Sequence, residues 1–130
     1  MHSIEMTVRG FHCDLYAHVN NARYLEFLEE ARWDWINHTS LMKFIQERGL
    51  SFIVVSININ YRYPAILNNI LNISVEPGSI GNSSARVRQV VSRKEDGKII
   101  ADAEVTFALI DNSTGKPTAI DEELKNLFLK

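Results

Sequence analysis

Residues 11–32, FHCDLYAHVNNARYLEFLEEAR, bring a carboxylate (Asp14), an imidazole (His18) and two carboxamides (Asn20 and Asn21) together just before an uninterrupted helix-forming run. A carboxylate in such a place can attack an electrophilic carbon or take a proton from water. The start of a helix adds N–H groups with no intrahelical acceptor, whose partial positive charge suits an oxygen gaining negative charge. The stretch therefore reads as the edge of an active site, with Asn20 or Asn21 capping the helix. A plainer reading stays open at this point, because an Asp ahead of a helix is often only a cap or loop residue. His12, Cys13, Asp14 and His18 are also metal-ligand types, but adjacent Cys13 and Asp14 suit one tetrahedral centre poorly and nothing later completes a ligand spacing. No metal or other cofactor is expected. The chain has no glycine-rich phosphate loop and no nucleophile elbow.

The elements that must position these residues follow from periodicity. Ile4, Met6 and Val8 alternate with polar residues up to Gly10, as in a strand with one buried face. From Ala22 to Ile36 there is no Gly or Pro, and Tyr24, Leu28, Ala31 and Trp35 recur at helical spacing, with Leu25, Phe27 and Ile36 widening the stripe. Arg32 lies on or beside that stripe and is expected to pair with a carboxylate, Glu30 being the candidate. Thr39 or Ser40 should cap a shorter helix through Ile45 that Gly49 ends. Alternation then marks a long strand from Ile53 to Tyr63, closed by Pro64. Asn68–Asn69 is a turn, and a strand over Ile70–Val75 reverses around Pro77–Gly78 and Gly81–Asn82. Ala85–Val91 and Ile99–Leu109 should pair antiparallel across an Asp96–Gly97 hairpin. A short helix is expected over Asp121–Lys130. The fold class is α+β: an antiparallel five-stranded sheet wrapped around the long helix.

With 130 residues, 45% of them hydrophobic, the chain is expected to form one domain over residues 1–130 with a real core. Fourteen basic against sixteen acidic residues give a formal charge of −2, which supplies no global field for nucleic acid or anionic lipid. Neither is expected as a partner. A single cysteine rules out an intrachain disulfide framework and favours a reducing compartment. The opening MHSIEMTVRG lacks the basic-then-apolar pattern of a leader, and no window approaches a membrane span. A cytoplasmic location is the expectation.

Taken together, Asp14-x-x-x-His18-Val19-Asn20-Asn21-x-x-Tyr24, the Glu30-Ala31-Arg32 triplet on the helix and Asn60-Tyr61-x-x-Pro64 on the next strand resemble the 4-hydroxybenzoyl-CoA thioesterase-like family of the hotdog fold. The resemblance covers nearly the whole chain, and HVNNARYLEFLEEARW and NINYRYPA are most similar to its long-chain acyl-CoA branch. Many members carry an Asp two residues before the catalytic carboxylate and a Gly before the motif His. Here His12 and Ala17 stand in those places.

The resemblance implies hydrolysis of acyl-CoA, at a site shared between subunits of a homo-oligomer, a dimer or a dimer of dimers. It implies that Asp14 is the catalytic carboxylate, acting as nucleophile or general base, and that the backbone N–H of Asn21 polarises the thioester carbonyl. His18 falls in the same catalytic motif, and Asn20 and Tyr24 match motif positions at the substrate. Coenzyme A would need surface cations for its phosphates, and Arg62 and Arg88 head a set that includes Arg86, Arg93 and Lys94. An apolar slot for the acyl chain is expected from Phe52–Ile59 with Phe27, Trp33 and Trp35. Two other classes compete: a hotdog enoyl-thioester hydratase, and a non-catalytic acyl-thioester binding module in which Asp14 only caps.

Overall fold

The computed structural model describes residues 1–129. Strand β1 (His2–Thr7) leads through a single tight helical turn at Gly10–His12 to helix α1 (Asn21–Asn37). Helix α2 (Leu41–Glu47) and strands β2 (Leu50–Tyr61), β3 (Ile70–Ile80), β4 (Ser84–Arg93) and β5 (Ile99–Asp111) follow, then the two-residue β6 (Lys116–Pro117) and helix α3 (Glu122–Leu129). The main strands form one antiparallel sheet in the order β1-β3-β4-β5-β2, and β6 adds to β5 beyond that path. Both β1 and β2 are therefore edges. The terminal helix expected to reach Lys130 is seen as far as Leu129, and Lys130 lies outside the described residues.

Helix α1 forms where the periodicity places it, starting one residue earlier than expected and ending one later. Asn20 is its cap, the side-chain Oδ1 accepting from the Ala22 N–H at 3.0 Å. At 1.5 Å per residue its 17 residues span about 25 Å. It buries Tyr24, Phe27, Leu28, Ala31 and Trp35 against the sheet. Leu28 is 1% exposed, and burying such a side chain is worth about 2 kcal/mol. The stripe is narrower than expected, because Leu25 stays exposed. The concave sheet reaches α1 from several strands: Gln89 of β4 lies under its middle, and Tyr61 of β2 stacks near Tyr24 with ring centroids 5.4 Å apart.

Arg32 corrects a sequence expectation. It is buried, yet its guanidinium donates to the Gln89 Oε1 at 3.0 Å and not to a carboxylate, while the Gln89 amide donates to the Leu28 carbonyl at 3.0 Å. Glu29 and Glu30 point outward on the exposed face, so helical geometry withholds them from the core side. Burial pulls the Arg32 proton affinity down, and the field of Glu29 opposes it.

In the sheet, the simple alternation expected for β2 breaks. The register against β5 shifts between Val54 and Ser56, so Val55 is bulged. Before the bulge Phe52 faces the core and stacks on Phe107; after it Ile57 and Ile59 take that side. Ile53, Val54 and Val55 are left exposed on the edge. Of the reversal expected around Pro77–Gly78 and Gly81–Asn82, the second pair is where the chain turns, the Gly81 N–H donating to the Ser84 carbonyl, while β3 runs through Pro77 and Gly78 with an irregular register. The Asp96–Gly97 hairpin forms as expected, with Gly97 at φ +71, a conformation that glycine adopts without steric cost.

Candidate active site

The irregular segment before α1 is held by backbone bonds to its surroundings. The Val19 N–H donates to Ala65, the Asn20 N–H to His12, and the Asp14 N–H to His18 at 2.7 Å. Inside this loop, Asp14 Oδ1 accepts from the Tyr16 and His18 N–H groups at 2.9 and 3.2 Å. One carboxylate oxygen is thereby fixed by the turn that Asp14 itself initiates. The other oxygen makes no hydrogen bond among the described residues. The turn requires Ala17 at φ +61. A side chain in that left-handed region costs about 1 kcal/mol, which explains in physical terms why a Gly suits this position.

Asp14, His18, Val19, Asn21, Tyr24, Tyr61, Arg62, Tyr63 and Pro64 line one cleft of about 230 Å³ at the start of α1. The first N–H groups of the helix are unequally occupied. Asn20 takes those of Ala22, through its side chain, and of Arg23, through its carbonyl at 2.9 Å. The Asn21 N–H has no intrahelical acceptor, and Asn21 lines the cleft. Tyr61 Oη donates to the Asn21 carbonyl at 3.0 Å and ties the end of β2 to this turn. Tyr24 is buried, and burial raises its phenol pKa despite the opposing pull of the Ala65 peptide.

Of the residues named from sequence, Asp14, His18, Asn21, Tyr24 and Arg62 meet in this cleft. Asn20 stands behind its wall as the helix cap. Arg88 lies on the outer face of β4, away from the cleft lining, exposed and without an ion pair among the described residues. Arg62 is already engaged: its guanidinium grips Asp102 at 2.9 and 3.3 Å and holds that carboxyl below its usual range, burial opposing and Arg88 adding to the effect. The other candidate cations are paired too, Arg86 with Glu104, Arg93 with Asp96 and Lys94 with Glu5.

Tyr63 reads from sequence as a strand residue alone, whereas Tyr61 also falls in the Asn60-Tyr61-x-x-Pro64 spacing, the one signal that this end of the strand reaches the site. The strand β2 stops at Tyr61, and Tyr63 lines the cleft from just beyond it. The metal-ligand types of this segment do not converge: the His12 ring accepts from the Arg9 N–H at 2.8 Å, and the Cys13 thiol donates to the Arg9 carbonyl at 3.6 Å. The acyl slot expected around Phe27, Trp33 and Trp35 is filled in the single chain. Phe27 and Trp35 are core residues, Trp33 is 51% exposed, and the void between Trp35, Phe52, Phe107 and Phe128 holds about 20 Å³.

Residues 8–128 match the family model of the thioesterase-like superfamily, and the chain belongs to that superfamily. It is 44% identical over 121 residues to the long-chain acyl-CoA thioesterase FadM of Escherichia coli strain K12, covering 93% of this chain and 92% of that one. The crystal structure of the probable thioesterase YbaW from Escherichia coli superposes with a TM-score of 0.95 at 41% identity over the full length of both chains. A 1,4-dihydroxy-2-naphthoyl-CoA thioesterase from Synechocystis shares the fold at a TM-score of 0.83 with 18% identity, covering 98% of this chain and 94% of that one. The sheet curled around α1 is accordingly the hotdog fold.

Proposed function

We propose that the chain, residues 1–130 taken as one domain, is a thioesterase that hydrolyses long-chain acyl-CoA to the free fatty acid and coenzyme A. The observation that carries this reading is the meeting of Asp14 with the first turn of α1 in one cleft, in a chain of the thioesterase-like superfamily. The thioester carbonyl docks with its oxygen at the Asn21 N–H, where the helix dipole favours the charge that builds as the carbon becomes tetrahedral. The unbonded oxygen of Asp14 then serves in one of two ways. It adds to the carbonyl carbon, and the C–S bond breaks to give an anhydride that water opens; or it takes a proton from a water that adds instead. Coenzyme A leaves as the thiolate and takes up a proton in either case. A single turnover in ¹⁸O-water separates the routes, since only the anhydride leaves label in the Asp14 carboxylate when water opens it at that side.

His18 completes the catalytic loop by giving its N–H to Asp14, and Tyr24 and Asn20 set the wall and cap against which the acyl carbonyl rests. Arg62 and Arg88 flank Asp102 and form the cationic patch for the coenzyme A phosphates. The walls that hold the acyl chain, and the rest of the pocket, come from a second copy in a homodimer or a dimer of dimers. What supports this is the exposed apolar surface that one chain leaves: Ile53, Val54 and Val55 on the free β2 edge, and Phe11, Leu15 and Tyr16 beside Asp14. Among the described residues no helix is long and apolar enough to cross a membrane. A cytoplasmic location is part of the proposal and rests on the lone, unpaired Cys13.

Free-thiol release from saturated and enoyl-CoAs of increasing chain length tests the reading. Thiol release that rises toward long chains supports it. Loss of enoyl absorbance without thiol would make the protein a hydratase, and binding without either signal a carrier module. Light scattering tests the shared site, which a fully active monomer would overturn.

A further inference from the structure

At the far end of α1 two imidazoles converge on one carboxylate. Asp34 and His38 sit four residues apart, one turn of helix, and His2 reaches them from the edge strand β1. His2 Nε2 lies 2.5 Å from Asp34 Oδ2, and His38 Nδ1 lies 3.7 Å from the same oxygen. One ligand atom from each of the three falls within 4.8 Å of the others. The rings, 5.2 Å apart at their centroids, open into a cleft of about 260 Å³ whose walls include Trp35, Thr39, Val75 and Pro77.

We propose that His2, Asp34 and His38 bind one divalent transition-metal ion of the zinc class, with water from the cleft as the fourth ligand. Two imidazole nitrogens and one carboxylate oxygen suit zinc and its neighbours, whereas magnesium and calcium favour oxygen alone. Ligands at zinc distances in a tetrahedron stand about 3.4 Å apart. The Asp34–His38 separation is close to that already. The His2–Asp34 pair is tighter, at hydrogen-bond distance, and the ion replaces that hydrogen bond. His38 Nδ1 also gives up its 2.7 Å bond to the Asp34 carbonyl by a small ring rotation.

The site lies 13 residues along α1 from Asn21, roughly 20 Å away, so its role is separate from the cleft at the other end. Strand β1 is bonded to the sheet through β3 alone. An ion shared by His2 and α1 clamps this edge strand to the helix, and its absence leaves the hydrogen bond to Asp34 as the tether.

The untagged full chain titrated with zinc chloride alone, by calorimetry and thermal unfolding, tests the proposal. One equivalent should bind per chain, with Tm raised by roughly 10 °C once zinc exceeds its Kd a hundredfold. Asp34→Asn and His38→Gln should each weaken binding at least tenfold and cut the shift to about half or less at the same zinc concentration; His38 is 65% exposed at its side chain, so the second variant leaves the fold intact. Cys13→Ser, at the opposite end of α1, should keep both. No binding at micromolar zinc, or binding that survives in Asp34→Asn and His38→Gln or vanishes in Cys13→Ser, would overturn it.

Discussion

At its C-terminal end α1 has its last carbonyls taken up within a few residues. Asp34 accepts from the His38 N–H and ring, Trp35 from the His38 N–H, and Ile36 from both the N–H and the hydroxyl of Thr39. At its N-terminal end Asn20 satisfies Ala22 and Arg23 and leaves the Asn21 N–H without an intrahelical acceptor, and Asn21 lines an open cleft together with Asp14, one of whose oxygens makes no hydrogen bond among the described residues. The same backbone is closed at one end and held short of closure at the other. A spare donor at the start of a rigid helix and a spare acceptor on the loop before it are what the proposed hydrolysis requires, and the folded chain keeps them by leaving both unpaired. The comparison teaches that the helix is scaffold along its middle and at its C-terminal end, while the proposed hydrolysis draws on its N-terminal end.

The sharpest way to break that contrast is Asp14→Asn. It keeps the turn acceptor while removing the charge, so thiol release from a long-chain acyl-CoA should fall by about 10³-fold with Tm nearly unchanged. Turnover within threefold of the parent would remove Asp14 from the chemistry. Next in size is the middle of the helix. Gln89→Leu strips the buried Arg32 of its acceptor and should cost about 2 kcal/mol, seen as a drop of roughly 8 °C in Tm, with turnover per folded molecule retained. Adding Arg32→Met should recover part of the loss, because the orphaned charge goes with it. A Gln89→Leu chain of full stability would mean that the buried pair contributes nothing to holding the helix on the sheet.

Features governed by a few neighbouring residues were legible in the sequence. The apolar stripe of α1, a cap at Asn20 or Asn21, the Asp96–Gly97 hairpin and the pairing of the last long strands each follow from local spacing and are found, the cap at Asn20. The make-up of the candidate site was legible to the same extent: Asp14, His18, Asn21 and Tyr24 lie within eleven consecutive residues and meet in one cleft, and their roles are what the resemblance implies. What escaped depends on register across the sheet. Gln89 meets Arg32 from 57 residues away, and nothing near Arg32 in the chain announces a neutral partner. The bulge at Val55 reverses which side chains of β2 face inward, a shift that alternation counted from one end cannot reveal. His2 reaches Asp34 across 32 residues only because β1 lies along the helix.

Tyr61 tests the N-terminal end more gently. Its hydroxyl holds the Asn21 carbonyl and so orients the peptide groups of the first turn, without any part in the bond changes. Tyr61→Phe should lower kcat about fivefold and leave KM within twofold, since one neutral hydrogen bond is worth about 1 kcal/mol. A rise in KM at constant kcat would instead make Tyr61 a binding residue and weaken the claim that the turn must be held in place.

The smallest expected effect concerns His12, whose carbonyl anchors Asn20 and whose ring accepts from the Arg9 N–H. Desolvation first, then the positive charges of Arg23 and Arg9, lower its pKa below the usual 6.5, with Glu26 pulling the other way. A histidine with a depressed folded-state pKa binds its proton sooner in the unfolded chain. Stability is therefore whole above pH 6.5, declines as pH falls through that value, and levels off below the folded-state pKa. Protonation also removes the ring's acceptor for Arg9, so the decline should appear first as loosening of the loop that carries Asp14. Tm measured from pH 7.5 down to 5 should fall more steeply for the parent than for His12→Gln, the difference isolating this one group from the other histidines. Amide exchange at residues 12–18 should quicken over the same interval while the last turn of α1 stays protected. Equal slopes for the two chains would show that the open end of the helix is no more sensitive to this charge than the closed one.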